Sequence, residues 1–208
     1  MIGIALLMTI NLFGHTAEPK EWAFDVYLDS HKIGIHTFEL DEHSKLTSKA
    51  NFKVKVLIFN AYQYDHLAIE RWQDDCLISL DSNTVEDGVT TKVKAIQTLK
   101  YLVVNDGNKG ADLPLCSMTF AYWNPKILQQ SHLLNPQNAE WIDTKVTKLG
   151  SEKIDVKGKV TEATHYKLDG SLAGKRKLNI DLWYTNENEW VALKSTTIDG
   201  YTINYKLH

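Results

Sequence analysis

The sequence predicts an all-β domain, built as a strongly curled antiparallel meander or partly closed β-barrel with one short helix or helical turn. Apolar residues recur with period two along most of the chain, turns of hairpin size separate the runs, and only one stretch carries helix signals. Roughly ten or more sequential strands are too many for a flat open sheet, so curling is expected.

The elements follow in order. Phe24, Val26 and Leu28 alternate, Asp29-Ser30-His31-Lys32 makes a turn, and Ile33, Ile35 and Thr37 continue into a hairpin with Phe38 and Leu40 on the opposing face. Ala50, Phe52, Val54, Val56 and Ile58 alternate against Asn51, Lys53 and Lys55, which predicts a strand with one wet face. Around Phe59-Asn60 the register switches, through a bulge or bend, into Tyr62, Tyr64, His66, Ala68, Glu70 and Trp72 on one face. Further strands are expected at Cys76–Leu80, Val89–Ile96 and Thr98–Val104. Between them lie turns at Asp81–Thr84 and Glu86-Asp87-Gly88, and a flexible loop follows at Asn105–Gly110. The tail offers strands at 140–146, 152–156, 160–168, 177–184, 190–197 and 201–207, with turns at Asp169-Gly170, Thr185–Asn188 and Asp199-Gly200. The helical stretch starts at Asn124-Pro125, an N-cap residue before proline at the first helical position. It draws on Ile127, Leu128, His132, Leu133 and Leu134 and ends at Asn135-Pro136, as a plug or lid over one end of the sheet.

The 208 residues include 23 Lys or Arg and 26 Asp or Glu, a net charge of -3, with 10% aromatic residues, 11 Gly and 4 Pro. That composition excludes a disordered or collagenous chain and gives no electrostatic reason to expect nucleic acid. Ile2 to Phe13 is almost wholly apolar and is followed by Gly14-His15-Thr16-Ala17 and a polar run. This reads as a signal peptide over 1–17, with a single β-rich domain over 18–208; the alternative is a buried N-terminal strand or helix. The apolar run falls short of the about 20 residues that span a bilayer, so no transmembrane span is expected in the mature chain. Cys76 and Cys116 suit one disulfide in an oxidising compartment, or two buried free thiols. Neither has a second ligand at zinc spacing, and no metal site or cofactor is read.

The segment Cys116-Ser117-Met118-Thr119-Phe120-Ala121-Tyr122-Trp123-Asn124-Pro125, followed by Leu133-Leu134-Asn135-Pro136-Gln137, resembles the hallmark of a family of exported bacterial proteins of unknown function. So do Tyr62-Gln63-Tyr64-Asp65-His66 with Glu70-Arg71-Trp72, and Asp181-Leu182-Trp183-Tyr184 with Trp190-Val191. The resemblance implies a periplasmic or secreted location and an all-β domain, and it implies no activity.

Tyr122 and Trp123 before a capped turn place amphipathic rings near a rim, with amides from Asn124, Asn135 and Gln137 beside them. These residues either brace the turns and fill core, or form a ligand-binding mouth with Tyr62, Tyr64 and Trp72. His66 and Glu70 share a strand face but stand about 13 Å apart at about 3.3 Å per residue, so they are pocket candidates and no acid–base dyad. Serine-hydrolase, zinc-protease, phosphate-loop and dinucleotide motifs are missing. Three functions are therefore expected in competition. They are a periplasmic binding or carrier protein for a hydrophobic or amphipathic small molecule, a structural or envelope-maintenance protein with a packed interior, and an enzyme (hydrolase or isomerase) acting within the barrel cavity.

Overall fold

A computed structural model describes residues 18–56, 59–197 and 200–208. The predicted signal peptide, Ile58 of the predicted third strand and Asp199 of the predicted last turn lie outside the described residues. Among the described residues, fourteen strands form one antiparallel sheet: β1 (Lys20–Leu28), β2 (His31–Leu40), β3 (Lys45–Val56), β4 (Phe59–Gln73), β5 (Cys76–Glu86), β6 (Val89–Gln97), β7 (Leu102–Asn105), β8 (Gly110–Leu113), β9 (His132–Leu134), β10 (Trp141–Val156), β11 (Lys159–Leu172), β12 (Lys175–Tyr184), β13 (Trp190–Thr196) and β14 (Thr202–Leu207). Their order is β8-β7-β6-β5-β4-β3-β2-β1-β14-β13-β12-β11-β10-β9. Two meanders therefore meet where the first and last strands pair, Phe24 opposite Leu207 and Val26 opposite Tyr205, and the sheet stays open between β8 and β9.

The sheet is strongly curled, as its long-range contacts require. Ten strand steps separate β5 from β9, about 48 Å in a flat sheet at about 4.8 Å per strand. Yet Ser82 on β5 donates a hydrogen bond to the Pro136 carbonyl in the turn after β9. Residues from β1, β4, β5, β6, β7, β11, β12 and β13 join one buried cluster on the concave face. Alternation decides which residues face in: Trp22, Phe24 and Val26 on β1 are buried, as are Leu46, Ser48, Ala50 and Phe52 on β3. Tight turns match the strand twist. Asp87–Gly88 and Ala173–Gly174 take positive φ at both positions, the geometry that two-residue hairpins favour.

Several boundaries differ from the sequence reading. Asp81–Thr84 is no turn: Ser82 and Thr84 continue the inward face of β5, because small polar residues fit a crowded concave wall. Asp169–Gly170 is also strand, and a Cβ at Gly170 would collide with the Leu178 side chain, so close approach and not a turn explains this glycine. The 140–146 and 152–156 runs merge into β10 across a bulge near Gly150. The single helical element among the described residues is a 3-10 turn, Pro125–Gln129, capped by Asn124 Oδ1 accepting from Lys126 N at 3.0 Å. His132, Leu133 and Leu134, assigned to that helix from sequence, instead pair with β10 as the edge strand β9.

Residues 114–131 cross the open end of the sheet as a strap. Ser117 O accepts from Leu77 N at 3.1 Å, Met118 O accepts from Leu134 N at 2.9 Å, and Thr119 bridges Leu134 in parallel. A Cys76–Cys116 disulfide staples the strap to the start of β5. Asn124 Nδ2 donates to Asp75 Oδ1 at 2.8 Å and fixes its middle. Met118, Ala121 and Ile127 then fill the end of the interior.

Candidate functional site

The inward face of β4 runs the length of the interior, and its alternation places Tyr62, Tyr64, His66, Ala68, Glu70 and Trp72 there together. At the strap end, Trp72 meets the edge of Trp123, with ring centroids 5.5 Å apart, and Trp123 lies 6.5 Å from Trp22. Tyr122 packs 5.4 Å from Trp190, and its carbonyl accepts from Tyr184 Oη at 2.7 Å. Tyr62 and Tyr64 lie far from Trp123, because eight to ten residues of β4 separate them from Trp72, about 26 to 33 Å at about 3.3 Å per residue.

Glu70 is 3% exposed, and Trp72 Nε1 donates to its carboxylate at 3.0 Å. Burial raises its carboxyl to about 7, with partial relief from Thr119 and Trp72. Thr119 stands beside the carboxyl, yet its Oγ1 has no well-aligned hydrogen bond, and neither has Trp123 Nε1. The strap end thus holds a neutral acid below neutrality in an otherwise aromatic filling.

The other end is built differently. Reading across the sheet at one level, Phe24, His36, Ala50, His66, Thr84 and Thr91 pair in turn. His36 Nε2 is 2.8 Å from Ser48 Oγ and Nδ1 is 3.1 Å from Tyr205 Oη, while its ring stacks on Phe38. His66 Nδ1 is 2.9 Å from Thr84 Oγ1. Burial holds His66 down to about 4, and burial together with the neighbouring His66 holds His36 well below the usual imidazole range. Both rings are therefore neutral near pH 7. Tyr64 stacks between Phe52 and His66, and burial pushes its phenol up. Tyr62 Oη donates to Glu86 at 2.9 Å.

A cleft of about 290 Å³ opens beside this network, lined by Thr84, Glu86, Val89, Thr91, Gln137 and Asn138. Thr84 belongs to both: it forms the cleft wall and holds His66. The turn over the cleft is braced by Asn135 Oδ1, which accepts from Gln137 N at 3.0 Å. Among the sequence candidates, the structure thus gathers Glu70, Trp72 and Trp123 at the strap, and His66, Tyr64, Tyr62 and Gln137 around the cleft. Asn124 and Asn135 brace turns. Sequence reading missed His36, Ser48, Thr84, Thr119 and Tyr205. The alternation Leu80, Ser82, Thr84 was the available signal for Thr84.

His66 and Glu70 each bond to other partners and not to one another. On the convex side, His165 sits between Asp181 Oδ1 at 2.8 Å and Glu152 Oε1 at 3.1 Å, against the Trp183 ring. Among the described residues, no group of three His, Cys, Asp or Glu side chains could hold a metal ion. Nor is any described helix long and apolar enough to cross a membrane.

Residues 24–208 match a family described as Domain of unknown function (DUF6134). The chain belongs to this family. Its fold is similar to that of a crystal structure described as a beta-barrel-like protein of domain of unknown function DUF1849 from Brucella abortus, with a TM-score of 0.65. The likeness covers 91% of this chain and 95% of that one at 10% sequence identity, and it speaks to fold alone. No curated protein matches the sequence.

Proposed function

We propose that this member of the family is an exported binding or carrier protein for a small hydrophobic or amphipathic molecule, held at the cleft over β5 and β6. The observation that carries the reading is the placement of Thr84, which lines the cleft and hydrogen-bonds to buried His66. Buried His66 and Tyr64 with half-buried His36 and Tyr205 put polar groups where an apolar filling would need no hydrogen-bond partners, which supports a use beyond packing. A cavity of about 290 Å³ stands at the lower end of the about 300 to 1,000 Å³ common for ligand pockets, which favours a small ligand with a polar end. Neutral imidazoles and phenols suit such an end, because they both donate and accept. The apolar N-terminal run and the Cys76–Cys116 disulfide support a periplasmic or secreted location.

The strap half favours a second reading, a structural or envelope-maintenance role, since aromatic side chains pack its interior. One experiment separates the two. Native mass spectrometry of the protein purified from its own source, beside Thr91→Trp, which fills the cleft from its half-buried wall, should show a small-molecule adduct only in the unmodified chain. An apo mass for both proteins would favour the scaffold.

A further inference from the structure

We propose that the cleft over β5 and β6 takes its ligand by an organic ammonium group, with Glu86 as the counter-charge and Val89 against the aliphatic part. This inference rests on the reading of the cleft as the binding site and names the class of molecule held there. Glu86 is the one charged residue among those that line the cleft, the others being Thr84, Val89, Thr91, Gln137 and Asn138. Glu86 and Val89 pair across the β5–β6 hairpin, so their side chains stand next to each other on one face, where Val89 is 69% exposed.

The carboxylate has room for a ligand. Tyr62 Oη donates to Oε1 at 2.9 Å, and no described donor takes Oε2. Asp87 adds a second negative charge at the same rim, where its Oδ1 accepts from Gln63 N at 2.8 Å. No described lysine or arginine side chain lies within ion-pair distance of either acid. Burial, Glu86 and Asp87 together push the Tyr62 phenol up, as a rim of uncompensated negative charge does.

Strand register keeps the neighbouring lysines out of the cleft. Lys92 and Lys94 pair with Asn83 and Asp81, which alternate with the inward Ser82 and Thr84, so both lysines stand on the convex side. Lys53 is beside Asp65 on that same side, and Lys177 is held at 2.7 Å by Glu140, two residues after Asn138. A ligand carboxylate would therefore meet repulsion, and an uncharged ligand would cover Glu86 without pairing it. An ammonium pairs with Glu86 and offers its other N–H groups to the oxygens of Thr84, Thr91 and Gln137. A hard metal ion would want about six oxygen ligands and no valine. An amine on a short carbon chain fits both the charge and the cleft volume of about 290 Å³.

Isothermal titration calorimetry at about pH 7 with hexylamine, hexan-1-ol and hexanoate, probes that share one chain and differ in charge, tests this on the intact protein. Hexylamine is an ammonium at that pH. The wild-type chain should bind it about tenfold more tightly than hexan-1-ol, with hexanoate weakest. Glu86→Gln keeps an acceptor for Tyr62 and should erase that preference, and Thr91→Trp should lose binding of all the probes; the melting temperature checks that both variants fold. Equal affinities in the wild-type chain, a preference for hexanoate, or a preference that survives Glu86→Gln would overturn the ammonium assignment and leave the cleft as a binding site. No binding by the wild-type chain, or binding that survives Thr91→Trp, would overturn the cleft reading along with it.

Discussion

The two ends of this curled sheet solve the same problem, closing a concave interior, with opposite chemistry. At the strap end the filling is large and aromatic: Trp22 and Trp72 pack against Trp123, Tyr122 packs against Trp190, and a disulfide fixes the covering segment. At the cleft end the wall turns small and polar, with Ser48, Ala50, Ser82 and Thr84 beside buried His66 and Tyr64 and half-buried His36 and Tyr205. Large apolar packing is therefore concentrated at one end, and polar side chains at the other. The difference teaches that a single strand, β4, can serve both: Trp72 and Glu70 belong to the packed end, His66 and Tyr64 to the polar one.

The largest expected effect comes from the packed end. Trp72→Ala removes a 6% exposed ring and should cost about 3 to 5 kcal/mol in urea denaturation. Tyr62→Phe, which loses only the exposed bond to Glu86, should cost less than about 1 kcal/mol. Comparable losses would break the comparison. Replacing both Cys76 and Cys116 by serine frees a strap anchored across 40 residues, and should cost about 4 kcal/mol by the same measurement.

Titration sharpens the contrast, because the two ends respond to pH with opposite sign over nearly the same window. Glu70 ionises near 4.5 in the unfolded chain and at about 7 in the folded one. Its contribution therefore falls as pH rises through that window, reaching about 3 kcal/mol of lost stability above pH 7. Glu70→Gln should remove that slope, and denaturation midpoints at pH 5 and pH 8, about the two sides of the window, would show it. His66 behaves in reverse: its folded value of about 4 lies below the ordinary 6.5, so stability is full above 6.5 and is lost as pH falls toward 4. His66→Gln should flatten the acid limb, leaving the part due to His36. A smaller stability effect is expected for Thr84→Val, about 1 kcal/mol, together with reduced ligand occupancy by native mass spectrometry.

Much of this was legible in the sequence where the information is local. Period two in β4 put Tyr62, Tyr64, His66, Glu70 and Trp72 on one face, and Asn124-Pro125 marked the 3-10 turn. The same alternation could not say which face is concave, because exposed Leu67 and Ile69 are as apolar as their buried neighbours. Ser82 and Thr84 resembled a turn, since nothing local shows that the wall opposite them is crowded. Leu133 and Leu134 resembled a helix because their partners, Ile142 and Trp141, come only with β10. The juxtapositions of Thr119 with Glu70 and of Thr84 with His66 depend on register between distant segments, which no single run of residues encodes.

Amide hydrogen exchange on the protein as purified from its own source, compared with the same protein after organic extraction, tests the division between the two ends most directly. The account predicts that extraction removes protection from residues 84–91 and 135–138 around the cleft and leaves the strap at 117–128 unchanged. A change confined to the strap, or no change at either end, would contradict it.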